Sequence, residues 1–148
     1  MDYKKAIDLF LKHNHWEHFL GQTLDFIEPG VVKYSLYIDE KHLSSPHVAH
    51  GGVLSSLMDS TIGGAALAHA FTLGMICSTV EFKINYLSPV NLGETVIAEG
   101  KIDYKGKSLI VSSGEIYEKE SKRAVAKGMG TFNLYPANKK EFLKEYFE

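Results

Sequence analysis

One cysteine, Cys77, is the only thiol in 148 residues. A lone cysteine closes no intrachain disulfide, so a reducing compartment and a cytoplasmic location are expected. An excess of positive charge is also missing. Sixteen Lys and Arg stand against 18 Asp and Glu, for a formal charge of −2. Dedicated nucleic-acid binders are usually basic, so no nucleic-acid partner is expected. Long apolar runs are absent as well. The most apolar segment, Val53 to Phe71, is broken by Ser55, Ser56, Asp59, Ser60, Thr61 and His69, which excludes a membrane span. The first twenty residues carry charged and polar side chains throughout, unlike a secretory signal. Neither an internal repeat nor a low-complexity tract is present.

What is present is enough to build a core. Hydrophobic residues make up 45% and charged residues 23%, near globular averages, so one domain over residues 1–148 is expected. Asp2 to about Lys12 has Ala6, Ile7, Phe10 and Leu11 at helical spacing, and a short N-terminal helix within about 2–14 is predicted. An irregular stretch follows, ended by Gly21. Strands are predicted over Gln22–Glu28 and Val31–Ile38, joined by the turn pair Pro29-Gly30. Asp39 to Ala49 is polar and reads as a loop.

From Gly51 the apolar spacing turns helical through His69, in a segment rich in Ser, Gly and Ala. The Gly63-Gly64 pair weakens such a helix by about 2 kcal/mol against Ala, so close packing on several sides must hold it. Four strand-like segments follow: Ser78–Leu87, Thr95–Tyr104, Ser108–Tyr117 and Ala124–Leu134. In the first, Val80, Phe82, Ile84 and Tyr86 alternate with Thr79, Glu81, Lys83 and Asn85. Hairpin-length links predict an antiparallel meander of these four. A core over about 20–136 ends at Pro136, and a last helix over about 138–147 is expected to be capped by Asn138. One long helix against one large antiparallel sheet is an α+β layer pair, and the sheet can curl around the helix.

Two features could carry chemistry. Gly51 and Gly52 lie where a helix leaves its first N–H groups unpaired, and glycine lets another molecule approach that backbone. The positive end of the helix dipole there suits a carbonyl oxygen gaining charge. Asp59 lies in mid-helix beside Leu57, Met58 and Ile62, where burial would penalise its charge. His50 and Asp59 are nine residues apart. On a helix that is about 13 Å of rise and about 900° of rotation, which sets them on opposite faces. If both serve one site, a second copy must supply the acid, as in a two-fold dimer with antiparallel central helices.

His50-Gly51-Gly52 opening a small-residue helix, Asp59 nine residues after the histidine, and the later strand TVEFKINYLSP together resemble the hotdog-fold acyl-CoA thioesterases. The branch is the one typified by the phenylacetate-pathway thioesterase PaaI and human thioesterase superfamily member 2. The resemblance runs from about Leu20 to Tyr135. It implies a hotdog fold, in which a curved antiparallel β-sheet wraps a long central helix. It also implies hydrolysis of an acyl-CoA thioester to free acid and coenzyme A. The site would lie in a homodimer that commonly pairs again into a homotetramer.

The roles implied by the resemblance are these. Asp59 is nucleophile or general base, Gly51 the oxyanion donor, His50 the residue that orients the loop, and Thr79 a helper of the acid or water. Gly52 would lie against the substrate. Basic residues near the Lys105-Gly106-Lys107 turn would meet the coenzyme A phosphates. Where the family often has an Asn six residues before the histidine, this chain has Ser44, which is shorter and lacks the amide. Coenzyme A enters as part of the substrate, and no other cofactor is implied. Two alternatives stay open: a hotdog hydratase or dehydratase acting on an acyl thioester, and a non-catalytic acyl-CoA-binding protein. His13, His15, His18 and His42, His47, His50 match no standard zinc spacing, so no metal is expected. Cys77 has no nucleophile signature around it.

Overall fold

The computed structural model describes residues 2–147. Two short helices come first, α1 (Tyr3–Lys12) and α2 (His15–Leu20). Strands β1 (Thr23–Glu28) and β2 (Val31–Tyr37) lead to a 3-10 turn, Glu40–His42, and a small hairpin of β3 (Leu43–Ser45) and β4 (Val48–Ala49). Helix α3 spans 22 residues, Gly51–Thr72. Strands β5 (Met75–Tyr86), β6 (Thr95–Lys105), β7 (Leu109–Glu118) and β8 (Ala124–Pro136) follow, and α4 (Glu141–Phe147) comes last.

The six long strands form one antiparallel sheet in the order β1-β2-β6-β7-β8-β5. The predicted meander is therefore corrected. Only β6, β7 and β8 run as consecutive neighbours; β5 lies beyond β8 at the far edge, and β6 pairs with β2. The eight residues between β5 and β6 carry the chain across the sheet, farther than a hairpin link would.

Two helix assignments also change. The stretch between α1 and β1 is helical, not irregular. Asn14 caps α2 by accepting from the Glu17 N–H at 3.3 Å, and Gly21 ends it in the left-handed conformation with φ 79°. At the other terminus Asn138 is no cap. It lies inside a 3-10 turn, Ala137–Lys139, before α4 begins.

Helix α3 packs on all six long strands, and buried residues cover most of its circumference. Its closeness to the sheet has a specific cause. Gly100, Gly114 and Gly128 stand side by side across β6, β7 and β8. A Cβ at Gly100 would sit 2.7 Å from the Thr61 carbonyl oxygen; one at Gly114, 2.8 Å from Ile62; one at Gly128, 2.9 Å from Met58. Thr61, Ile62 and Met58 are all on α3, so the glycine row is a groove for the helix. Phe132, Leu57, Met58 and Ile62, each 1% exposed or less, pack in the layer between helix and sheet, while Phe71 lies in a second cluster with α1 and α4.

Gly114→Ala forces a side chain into that groove, where the nearest atoms include the Glu99 backbone oxygen at 2.9 Å. It should destabilise the fold by about 1–3 kcal/mol in urea unfolding. Gly64→Ala, on the helix itself, meets only ordinary contacts with Val32 at 3.5 Å and Tyr34 at 3.7 Å. It should be neutral or stabilise by up to about 1 kcal/mol. Equal effects would contradict the groove.

Candidate active site

Asp59 lies midway along α3, and what meets it comes from β5. The Thr79 hydroxyl donates to Asp59 Oδ1 at 2.9 Å. Strict alternation would put Thr79 on the same face as Glu81, Lys83 and Asn85. The structure corrects that. Val80 is an extra residue between Thr79↔Phe132 and Glu81↔Thr131 in the β5–β8 ladder. This bulge resets the phase of the strand. Phe82 and Ile84 still pack on the core, Glu81 accepts from the Thr131 hydroxyl at 2.8 Å, and Thr79 turns to the helix. Bulges commonly re-aim one side chain beside a site in this way.

A cavity of about 150 Å³ opens beside Asp59. Its apolar wall includes Ile7, Phe10, Leu11, Leu24, Ile27, Leu67 and Phe132; its polar lining includes Asp59, Ser60, Thr79, Glu17, Tyr34 and Asn14. The burial that makes this space penalises charge. Asp59 is held above the ordinary aspartate pKa by desolvation, and the Thr79 hydrogen bond opposes the shift only in part. One hydrogen bond to a charged group contributes about 1.5–3 kcal/mol, against several for withdrawing a carboxylate from water. Cys77, also on the wall, has its thiol pushed up to about 12 by burial and then by the Asp59 charge. It is a protonated wall residue, not a nucleophile.

The N-terminus of α3 is a separate centre. His50 caps it: the Gly52 N–H donates to His50 Nδ1 at 2.7 Å, so the neutral ring carries its proton on Nε2. Gly52 thus spends its N–H inside the chain, whereas the Gly51 N–H meets no acceptor among the described residues. The Tyr86 ring shields Gly51, and its hydroxyl donates to the Gly51 carbonyl at 3.0 Å and contacts the Ser55 hydroxyl. The segment entering α3 is tied down from behind. The His50 N–H donates to the His42 carbonyl at 2.7 Å, and His42 Nε2 donates to the Leu20 carbonyl at the end of α2 at 2.8 Å. His42 is 2% exposed, a buried structural histidine.

Within one chain, then, Asp59 and Thr79 meet at the cavity, while His50, Gly51 and Gly52 lie elsewhere and do not line it. Ser44 is exposed on β3. Lys105 acts on His69, whose pKa is lowered by burial and then by that lysine, so the β6–β7 turn stands at the C-terminal end of α3. From Gly51 to His69 is 18 residues of α3, about 27 Å of rise. Lys107 is exposed in the same turn. Among the described residues no group of His, Cys, Asp or Glu is arranged to hold a metal ion, and no helix is long and apolar enough to cross a membrane.

Sequence reasoning missed Glu17. It is 8% exposed, lines the cavity from α2, and accepts from the Tyr34 hydroxyl at 3.2 Å. The signal existed: Asn14, Glu17 three residues on, and Gly21 are helix start and stop marks. What those marks did not say is that Glu17 turns inward.

The family model of the Thioesterase superfamily matches residues 47–125, from the loop before α3 to the start of β8. Human acyl-coenzyme A thioesterase 13 is 26% identical over 139 residues, covering 88% of this chain and 93% of its own. The Saccharolobus solfataricus protein SSO2140, which carries an esterase name, is 33% identical over 131 residues, covering 88% and 91%. Among solved structures, Escherichia coli PaaI, from the phenylacetic acid degradation operon, superposes with a TM-score of 0.82 at 20% identity, over 90% of this chain and 93% of that one. A Streptococcus pneumoniae thioesterase structure with coenzyme A gives 0.68 at 23% identity, over 78% and 89%. These likenesses establish the hotdog fold: a long helix packed on a curved antiparallel sheet.

Because the folded-state pKa of Asp59 is raised, its burial costs stability once the group ionises. The cost is absent below the unfolded value of about 3.9, grows through the interval up to the folded value, and is complete above it. Asp59→Asn should therefore unfold at a higher temperature than the parent at neutral pH, with the gain fading below about pH 4. A gain that persists unchanged in acid would contradict a buried charge as its source.

Proposed function

The chain belongs to the thioesterase superfamily, and from that membership and the Asp59–Thr79 cavity we propose that it hydrolyses an acyl-CoA thioester to free acid and coenzyme A. The acyl group enters the cavity, with its carbonyl carbon beside Asp59. Asp59 either attacks that carbon or takes a proton from the water that does. With Asp59 as base, the hydroxide adds, the carbon–sulfur bond breaks and the thiol leaves with the proton Asp59 took. With Asp59 as nucleophile, the thiolate leaves an Asp59 acyl anhydride, which water opens to the free acid while giving the thiolate its proton. The raised Asp59 pKa makes the carboxylate a stronger base than an exposed one while leaving it ionised above that value. Thr79 fixes the direction of the carboxylate. The observation that carries the reading is the carboxylate in an apolar cavity, held by a hydroxyl that a strand bulge aims at it.

The carbonyl oxygen gains negative charge, and Gly51 supplies the donor at the positive end of α3. His50 keeps that turn in place through Gly52. Because Gly51 lies apart from Asp59 in one chain, the donor comes from a second copy, in a homodimer with antiparallel central helices. The same arrangement sets the partner's β6–β7 turn toward the N-terminal end of α3, where Lys105 and Lys107 would face the coenzyme A phosphates. Mobile point charges suit that role. Gly52 and Ser44 would border the thioester end, Ser44 without the reach of an amide. Pairing of dimers into a homotetramer has a suitable surface, the outer sheet face where Lys33, Glu99, Glu115 and Lys127 stand in one register row. A cytoplasmic location fits the single free cysteine. The named residues supply base, donor and positioning, so we propose no cofactor beyond the coenzyme A carried by the substrate.

The test is thiol release from a panel of acyl-CoA esters. Asp59→Asn should lower kcat by about a hundredfold or more with KM little changed. In the parent, kcat should rise with pH to a plateau, with its acid limb above the ordinary aspartate value of about 3.9. Undiminished turnover by the variant would overturn the assignment of Asp59. Tight coenzyme A binding without thiol release would leave a binding protein.

A further inference from the structure

Glu17 is a carboxylate in a small and mostly apolar cavity, in no ion pair among the described residues, and the one positive influence on it is the longer-range pull of His18. Its pKa is raised by burial, and the shift is opposed by hydrogen bonds from Ser60, Tyr34 and Asn14 and, last, by His18. The Tyr34 hydroxyl lies 3.2 Å from one Glu17 oxygen and 3.5 Å from the other, and Ser60 and Asn14 are further partners of the carboxylate. An ionised carboxylate offers about four lone-pair sites, so accepting capacity is left over. With three partners on about four sites, Glu17 can accept one further hydrogen bond from whatever fills the cavity beside it.

We infer that Glu17 determines specificity: it accepts a hydrogen bond from a hydroxyl at the far end of the acyl group, and the cavity selects short hydroxylated acyl chains over plain ones. The inference rests on the cavity being the acyl site of the proposed thioesterase. Asp59 marks where the thioester sits, and Glu17, entering from α2, supplies the cavity with a second carboxylate. The volume of about 150 Å³ holds about six carbon atoms. A methyl end brought against Glu17 would displace its solvent and return nothing. A hydroxyl returns a charge-assisted hydrogen bond, and a second carboxylate on the acyl chain would be repelled.

The test compares 6-hydroxyhexanoyl-CoA with heptanoyl-CoA, which have the same number of heavy atoms in the acyl group. Two quantities are read: kcat/KM by thiol release, and Kd by calorimetry for the matching non-hydrolysable thioethers. The parent should favour the hydroxylated member about tenfold to a hundredfold in both. Glu17→Leu should bring the preference to one or reverse it. Glu17→Gln, whose amide oxygen still accepts, should keep part of it. A parent ratio at or below one overturns the inference. So does a ratio left unchanged by Glu17→Leu, which would make Glu17 a docking residue for α2 alone. If Glu17→Leu does not fold, the parent ratio and Glu17→Gln still decide. Thioethers that bind with the expected ratio, beside thioesters that are not hydrolysed, would uphold Glu17 and reject the hydrolase reading.

Discussion

The distance between α3 and the sheet governs the rest of the molecule. A row of three glycines across β6, β7 and β8 lets the helix approach the sheet so closely that no side chain could stand at those three positions. A helix held that closely cannot slide or turn. Asp59 is therefore fixed opposite β5, and the first turn of α3 is fixed against Tyr86. The same contact lets a segment with Gly63-Gly64 remain helical, because packing replaces the propensity those glycines forfeit. Those two glycines also line the cavity that α1 and α2 help to wall, Gly63 beside Phe132 and Gly64 beside Val32 and Tyr34.

That cavity holds two carboxylates, Asp59 and Glu17, both pushed toward the protonated form by burial. Neither is in an ion pair among the described residues, and for both the cost of desolvation outweighs the groups that favour the charge, so both weaken the fold at neutral pH. In a fold stabilised by only about 5–15 kcal/mol, a half-buried Asp59 and a buried Glu17 outside any ion pair are a cost that a use at the cavity would offset. The proposed chemistry gives each a separate use, Asp59 at the thioester and Glu17 at the far end of the acyl group.

Much of this was legible in the sequence, and the rest has identifiable physical reasons. Helix α3 was readable from its first residue because the change of period at Gly51 coincides with the loss of polar turn residues. His50, Gly51, Gly52 and Asp59 stood out because, together with the later strand TVEFKINYLSP, they resemble the hotdog thioesterases; a mid-helix acid or glycines at a helix start would not alone have marked a site. The position of β5 at the sheet edge was hidden, because strand order depends on non-local pairing and not on link length alone. Thr79 could be named as a site residue but not oriented. A bulge at Val80 changes no composition, yet it turns every preceding side chain to the other face. Glu17 was hidden because its sequence context reads as a helix cap, and only the tertiary contact with Tyr34 shows it turned inward.

The central claim is that each site needs Asp59 of one chain and the Gly51 N–H of another. Gly51→Pro removes that donor, and Gly51→Ala, which presses the same Cβ to 3.3 Å from the Tyr86 ring but keeps the N–H, is its control. Proline is tolerated at the first position of a helix, and His50 already has φ −66° and ψ 136°, which the residue before a proline accepts. Mixing inactive Asp59→Asn with inactive Gly51→Pro gives hybrid dimers with one site built of intact halves. With free subunit exchange the mixture should recover about a quarter of the parent rate of thiol release. Complete exchange with no recovered activity would contradict a site shared between chains.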